Sequence, residues 1–454
     1  MLMDGYASDH VDILDLMTMR SGLPRHDYAI SGHTLDAEII TKLRYLEPSA
    51  EIRQAYQYCN MHYGALAHIV TTLTGIEYVD WVTENVIKPL GLNATYDYDA
   101  AEVAEGFAHI GVNYTQCALS EEVRRPDKAC MGETKPFGWW VTGSYTKGAD
   151  AGAGGLMMSA RDVGRWLSEL LDPQHINPAA LALVSTPIIV AEPARPPELG
   201  LTTYGAGQAM VNYRGFEVVH HGGFVPGQAS EFLRVPSAGV ALGIMTNDHT
   251  WGDVLASALA WRVLDDLLGL EPIDWEALAV REMWDAIRAD PTPTPPTTPE
   301  PAPVPGEGTY THPGYGSFTL TRLPRGKANT TAGEIARALP LLGLRTDAVL
   351  YAELDGFLPS HFTLAHWSGA FWNLTNWLVY DRQEQGVVAL NPGISWPAVV
   401  TEEGLGLFGG FAGAGMDVPP RAPKVKDLKE RAEVFFAREG RSALVVQGGP
   451  QYSL

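Results

Sequence analysis

The sequence is short of cysteine, of basic side chains and of long apolar stretches, and each shortage excludes something. Three cysteines in 454 residues (Cys59, Cys117 and Cys130) cannot build a disulfide scaffold. Lysine and arginine together number 32 against 53 acidic residues, a formal charge of −21. Nucleic-acid binding needs clustered cations, and an anionic membrane surface repels such a chain, so neither is an expected partner. No uninterrupted apolar run reaches the roughly 18 residues of a membrane-spanning helix. The apolar stretch Pro178 to Ala191 is short and contains Pro187. No H-E-x-x-H or spaced Cys/His set is present, so no metal or other cofactor is expected. Met1-Leu2-Met3-Asp4 lacks the basic and apolar regions of a secretory signal.

What is present suffices for a large core. The chain is 46% hydrophobic and 19% charged, and its length suits two domains. The boundary is compositional. Residues 290–301, rich in Pro, Thr and Glu, cannot pack and read as an extended spacer. The expected organisation is a first domain over 1–270, a helix and Pro-rich linker over 271–306, and a second domain over 307–454.

In the first domain, Val11 to Met19 reads as a short helix. Met61, Leu66, Ile69, Val70 and Leu73 mark one face of a stronger helix ended by Gly75. Glu77 to Ile87 continues helical to Pro89. Ser159-Ala160-Arg161-Asp162 resembles a capping box opening another helix. From Tyr204 to Thr246 the pattern switches to strands, punctuated at Arg214-Gly215 and at 236–239, and Ala256 to Leu268 is helical again. Helices, then consecutive strands, then a helix imply an α+β class, an antiparallel sheet flanked by helices. From Gly308 onward, glycine, aromatics and short alternating runs imply strands and turns. The Gly-rich stretch 404–415 fits no motif.

Three stretches carry the chemistry: Ser21-Gly22-Leu23-Pro24; Tyr56-Gln57-Tyr58-Cys59-Asn60 leading into Tyr63-Gly64; and His220-His221-Gly222-Gly223-Phe224. Between the last two lie Lys88-Pro89-Leu90-Gly91-Leu92 and Gly154-Gly155-Leu156-Met157-Met158-Ser159. In this order the set resembles the serine β-lactamase-like and penicillin-binding-protein-like family. The branch is that of class C β-lactamases, esterases and D-stereospecific peptidases, and the resemblance covers roughly residues 11–268. It implies the β-lactamase/transpeptidase-like fold and acyl transfer through a serine ester. By the same resemblance Tyr58 is the general acid/base, Asn60 hydrogen-bonds the lysine and the substrate amide, and His221 replaces the wall lysine. Gly222 and Gly223 let the substrate backbone approach. Phe224 offers its N–H to an oxyanion, where one donor is worth roughly 3–4 kcal/mol. The implied partner is a small-molecule or peptide substrate, with self-association open. The region after Gly308 is similar to the lipocalin-like barrel appended to some family members.

One part of the pattern is missing. The S-x-x-K motif belongs upstream of Tyr58, and the single match, Ser144-Tyr145-Thr146-Lys147, follows it between glycines. Two readings stand: a gene whose nucleophile helix lies in a missing upstream segment, or a short form that cannot acylate and binds a peptide or small amide. Each site residue also has a plainer reading. Tyr58 can be a packing residue, Asn60 an N-cap, and Gly222-Gly223 a bulge or bend. His220 and His221, adjacent on a strand, point to opposite faces and do not chelate together. Cys59 is a lesser candidate nucleophile. Trp367, Trp372 and Trp377 line either a ligand surface or a packed core. Cys117 and Cys130 bracket a polar loop that a disulfide could close. Four sequons (Asn93, Asn113, Asn329 and Asn373) favour a secreted protein whose signal went with the missing segment, with a cytoplasmic one as the alternative.

Overall fold

A computed structural model describes residues 2–30, 34, 36–97, 110–114, 133–137, 151–194, 198–225, 227–248, 252–279, 281, 298, 300–323, 330–342, 349–354, 360–382, 386–414 and 418–440. Ser144 to Lys147, Cys117, Cys130 and Asn329 lie outside them, as does most of the Pro-rich run.

The chain opens with two short helices, α1 (Gly5–His10) and α2 (Ile13–Met17). Asp12 and Asp15 form a capping box on α2. Asp15, fully buried, also receives Arg20 Nε at 2.8 Å and Arg53 Nε at 2.9 Å. That carboxylate ties the helix to the segment leading into Tyr56. After α3 (Asp36–Lys42) comes α4 (Asn60–Thr74), closed by Gly75 in the left-handed region at φ +70°. Helix α5 (Tyr78–Val82) runs on through a π turn to Ile87. The small antiparallel pairs β1 (Ala94–Thr95) with β4 (Met157–Met158), and β2 (Ile110–Tyr114) with β3 (Glu133–Phe137), follow.

The main sheet is a six-stranded antiparallel meander. It comprises β5 (Ile189–Glu192), β6 (Leu199–Tyr204), β7 (Ala209–Tyr213), β8 (Phe216–Val225), β9 (Gln228–Val235) and β10 (Val240–Thr246), paired in sequence order. Arg214 and Gly215, both at positive φ, turn β7 into β8. One face packs on the helix Gly252–Leu268, burying Trp261 and Leu264 with Val211, Tyr213, Val218 and Leu233. Asp265 binds this layer together: its carboxylate takes the Tyr213 hydroxyl, the Trp275 indole at 3.0 Å and the Ile273 amide at 3.1 Å. The helix Ala160–Leu171 packs on the other face through Val163 and Leu167, against Phe232 and Ala241. Ser159 caps it, accepting the Asp162 amide at 3.2 Å.

The second body is a closed antiparallel barrel of eight strands in sequence order, a lipocalin-like arrangement. The strands are β11 (Gly308–His312), β12 (Gly316–Arg322), β13 (Val349–Glu353), β14 (His361–Ser368), β15 (Phe371–Arg382), β16 (Gly386–Val400), β17 (Gly404–Leu407) and β18 (Val434–Arg438), and β18 closes on β11. The fold class is thus α+β with an appended all-β barrel. Side chains fill the barrel: Phe318, Phe362, Trp372, Trp396, Phe411 and Phe436 belong to one buried cluster. Trp372 and Trp377 are 6% and 0% exposed, so these two are core residues and form no ligand surface. The Gly-rich stretch resolves into β17, whose four residues are all buried, and a loop. Asn373 is only 8% exposed, which closes that sequon to modification in the folded barrel. Among the described residues no helix is long and apolar enough to cross a membrane.

The two bodies meet at the segment 24–30. Arg25 N and His26 N donate to Gly413 O (3.2 Å) and Ala412 O (2.9 Å) in the barrel. His26 Nδ1 lies 2.6 Å from the Tyr315 hydroxyl. Tyr28 enters the barrel mouth against Trp396 and Phe411, with its hydroxyl accepting from Asn376 at 3.2 Å.

Candidate active site

The phenol, the carboxamide and the imidazole picked out in the sequence come from two distant elements. Tyr58 sits two residues before α4, Asn60 is the first residue of α4, and His221 lies on β8. The sheet and α4 meet so that the Tyr58 and His221 rings stand 5.9 Å apart. The plainer reading of Asn60 fails in detail. Cys59 occupies the N-cap position and makes no side-chain cap, while Asn60 Nδ2 donates to Asp27 Oδ1 at 2.9 Å.

Two further tyrosines, neither expected to take a role in the site, fill the gap. The Tyr63 hydroxyl lies 2.8 Å from that of Tyr204, and the Tyr204 hydroxyl lies 3.0 Å from His221 Nε2. His221 Nδ1 is 2.7 Å from the Gly222 carbonyl. A carbonyl only accepts, so Nδ1 carries the proton and, in the neutral ring, Nε2 accepts from Tyr204. Tyr63 then donates to Tyr204, and the Tyr58 ring packs 5.9 Å from the Tyr63 ring. The chain of hydroxyls therefore has one direction, ending on the imidazole. Tyr63 could have been flagged from its place one helical turn beyond Asn60; Tyr204, on β6, has no local signature.

Charge around the site is arranged by the 24–30 segment. The Arg25 guanidinium lies over the Tyr58 ring, 5.2 Å from its centroid, and pairs with Asp27 at 2.6 Å. Burial pushes the Tyr58 phenol above its ordinary range; the Arg25 guanidinium and the nearby Tyr63 hydroxyl oppose this, and the net direction is still upward. Burial likewise holds His221 below its ordinary 6.5, against the pull of the Gly222 carbonyl. The site at neutral pH thus contains a neutral phenol and a neutral imidazole.

On its β7 side the wall strand outruns its partner. β8 pairs with β7 as far as His220, opposite Ala209, so His221 to Val225 extend beyond the end of β7. Gly222 and Gly223 are exposed there, and Phe224 is 52% exposed. On the other edge the ladder continues to β9, with Gly223 opposite Ser230. A Cβ on Gly223 would meet Ser230 Oγ at 2.8 Å, so the glycine serves this sheet as well as the open edge. His220 points the other way, toward Trp261 and Glu231 (3.1 Å). No group of three metal-ligating side chains occurs among the described residues.

One candidate is removed, and Ser21 proves structural. Cys59 is fully buried and its thiol is pushed up to about 12 by that burial, so it is no nucleophile. Ser21 is 2% exposed, with Oγ 2.9 Å from His62 Nε2 and 3.1 Å from the Leu23 amide. It holds the turn through Gly22.

Antiparallel sheet, flanking helices and a Tyr-x-Asn facing a His-Gly-Gly strand define the β-lactamase/transpeptidase class. The Beta-lactamase family profile matches residues 2–266, and the chain belongs to that family of hydrolase-fold proteins. It is similar to the unguisins hydrolase ungD′ of Aspergillus campestris, 26% identical over 69% of this chain and 59% of that one. It is also similar to the unguisins hydrolase ungD of Aspergillus violaceofuscus, 24% identical over 68% and 58%. The chain therefore spans somewhat under two thirds of the length of these relatives. Among solved structures it resembles the octameric penicillin-binding protein homologue from Pyrococcus abyssi (TM-score 0.48, 18% identity), over 87% of this chain and 75% of that one.

Proposed function

We propose that residues 1–270 carry the proton-transfer and substrate-wall half of a serine hydrolase that cleaves amides or esters through an acyl-serine. The observation that supports this reading is the 5.9 Å approach of Tyr58 to His221 beside the open edge of β8. The nucleophile in this reading is a serine followed three residues later by lysine, on a segment outside the sequence given. The lysine supplies the cation that Tyr58 needs: with Arg25 alone the phenol stays protonated, and a neutral phenol is a poor base near pH 7. Tyr58 then takes the serine proton and passes it to the leaving group. Asn60 and the strand 221–225 hold the scissile amide, with the Phe224 N–H toward the developing oxyanion. The neutral imidazole of His221, in place of a fixed cation, favours amides or esters other than β-lactams as substrates.

The test is covalent labelling of the longer polypeptide with a fluorophosphonate, followed by peptide mapping. Labelling on a serine three residues before a lysine, with turnover of a nitrophenyl ester or D-peptide amide lowered about 100-fold or more by Tyr58→Phe, supports the proposal. Turnover indifferent to Tyr58 and His221 ends it. The raised phenol favours one second reading for the 454-residue chain by itself: a binder of peptide-like amides without turnover, seen as saturable binding with the ligand recovered intact.

A further inference from the structure

Beneath His221 the sheet buries a cation that has no anion among the described residues. Arg234 on β9 lies opposite Val219, two residues before His221 on β8, so the two side chains share the face covered by the helix Ala160–Leu171. Arg234 is 3% exposed. Its Nη2 donates to a neutral group, Ser185 Oγ, at 2.5 Å. Less buried arginines of this body have acids: Arg20 and Arg53 share Asp15, Arg25 has Asp27, and Arg214 has Asp265. Among the described residues Arg234 has none, and burial alone draws it down to about 10. An ion taken out of water without a counter-charge costs several kcal/mol, so a fold that keeps one has left a site half made.

The complement is space. A cavity of about 40 Å³ lies against Arg234, with Gln208 and His221 as further polar groups and Leu167, Leu170 and Phe232 among its apolar walls. Gln208 Oε1 is buried there with no partner. Gln208 immediately precedes β7, in register with the row of His221. A guanidinium, an amide with unused hydrogen-bonding capacity and an imidazole thus converge on one small, largely apolar chamber.

We propose that this chamber binds a carboxylate carried on a short apolar group. The planar guanidinium fork matches a carboxylate. The Gln208 amide, turned about its last torsion, offers its NH2 group to the second oxygen. A single water occupies roughly 10–15 Å³ by the same measure of volume, so the space admits a carboxylate with one or two carbons and excludes a bulky anion. The carboxylate belongs either to a free short-chain acid or to the acid end of a peptide-like molecule lying beside His221. Neither source requires acyl transfer at Tyr58, so the site stands whether or not the chain is catalytic.

The test uses the full chain at pH 7 and constant ionic strength, with sodium acetate, acetamide, sodium chloride and N-acetylglycine. Acetate is expected to raise the melting temperature by about 3–5 °C near saturation, with acetamide and chloride inactive. It should also move the His221 Hε1 resonance saturably. Arg234→Met should abolish both responses while melting no lower than the ligand-free parent, because the unpaired buried charge is gone. If N-acetylglycine moves the same resonance and competes with acetate, the acid arrives on a peptide; if acetate acts alone, it is a free short acid. An acetate response equal to that of acetamide, with His221 unmoved, means the chamber holds only water and overturns the proposal. So does an acetate response that survives in Arg234→Met. Should that variant fail to fold, the comparison of acetate with acetamide at His221 decides by itself.

Discussion

Arg25 stacks on Tyr58 while its partner Asp27 holds the carboxamide of Asn60. One ion pair thereby touches both residues of the Tyr-x-Asn motif. It comes from a segment whose backbone is hydrogen-bonded to the barrel, so the electrostatics of the candidate site depend on both bodies.

Arg25→Met should raise the Tyr58 phenol further, since the guanidinium opposes the effect of burial. Asp27→Asn should move it down, because the carboxylate raises it. Tyrosine-selective ¹³C NMR titrations, with Tyr58→Phe assigning the resonance, read both shifts. Equal or same-sign shifts would remove Arg25–Asp27 as the pair that sets the phenol.

Gly413 occupies φ +72°, and a Cβ there would stand 2.8 Å from Arg25 Cβ. Gly413→Val is therefore expected to cost about 2–3 kcal/mol in denaturant unfolding and to perturb Tyr58 as Arg25→Met does. Gly316→Ala, at φ +85° with open space around it, should cost about 1 kcal/mol and leave Tyr58 alone.

Glu169 accepts the amides of Gln174, His175 and Ile176, and these bonds lower its carboxyl from 4.5 to about 2. A group lowered on folding stabilises above its unfolded pKa, and that stabilisation is lost as pH falls through the folded one. Glu169→Gln should cost about 2 kcal/mol at pH 7. The gap between variant and parent should close between pH 4.5 and 2. A constant gap across that range would mean the amides do not hold the charge.

Cys59 should resist Ellman's reagent at pH 8 in a Cys117→Ser/Cys130→Ser background and react in full once denaturant unfolds the chain, given its burial and raised thiol. Labelling of the native protein at the rate of a free thiol would contradict that placement.

Neutral His221 should be the Nδ1–H tautomer, as the Gly222 carbonyl requires. Long-range ¹⁵N–¹H correlation distinguishes the two nitrogens. An Nε2–H tautomer would reverse the direction of the Tyr63–Tyr204 hydroxyl pair.

What the sequence could show was local. The helix from Met61 to Leu73 and its stop at Gly75 follow from apolar spacing and a residue free to take positive φ, but the buried face is Met61, His62, Gly64, Ala65 and Ala67, and Leu73 is 77% exposed. That His220 and His221 face opposite sides follows from the two-residue period of a strand. The rest needed partners far along the chain. Arg25 and Asp27 look like loop polarity until α4 is packed beside them. Tyr204 is one more strand tyrosine until β6 is brought 141 residues back to Tyr63. The glycines after residue 404 carry no periodicity, because their reason is the closeness of β18 and of the segment 24–30.

The side chains of residues 25 to 28 divide between the two bodies: Arg25 and Asp27 hold Tyr58 and Asn60, Tyr28 enters the barrel, and His26 bridges the two, with Nδ1 at the Tyr315 hydroxyl and Nε2 at the Glu47 carbonyl. A graft of either body onto a foreign neighbour would keep its covalent sequence yet forfeit half of these handholds. Shuffling homologous domains at the Pro-rich spacer should therefore succeed only when this tetrapeptide travels with its matching mouth.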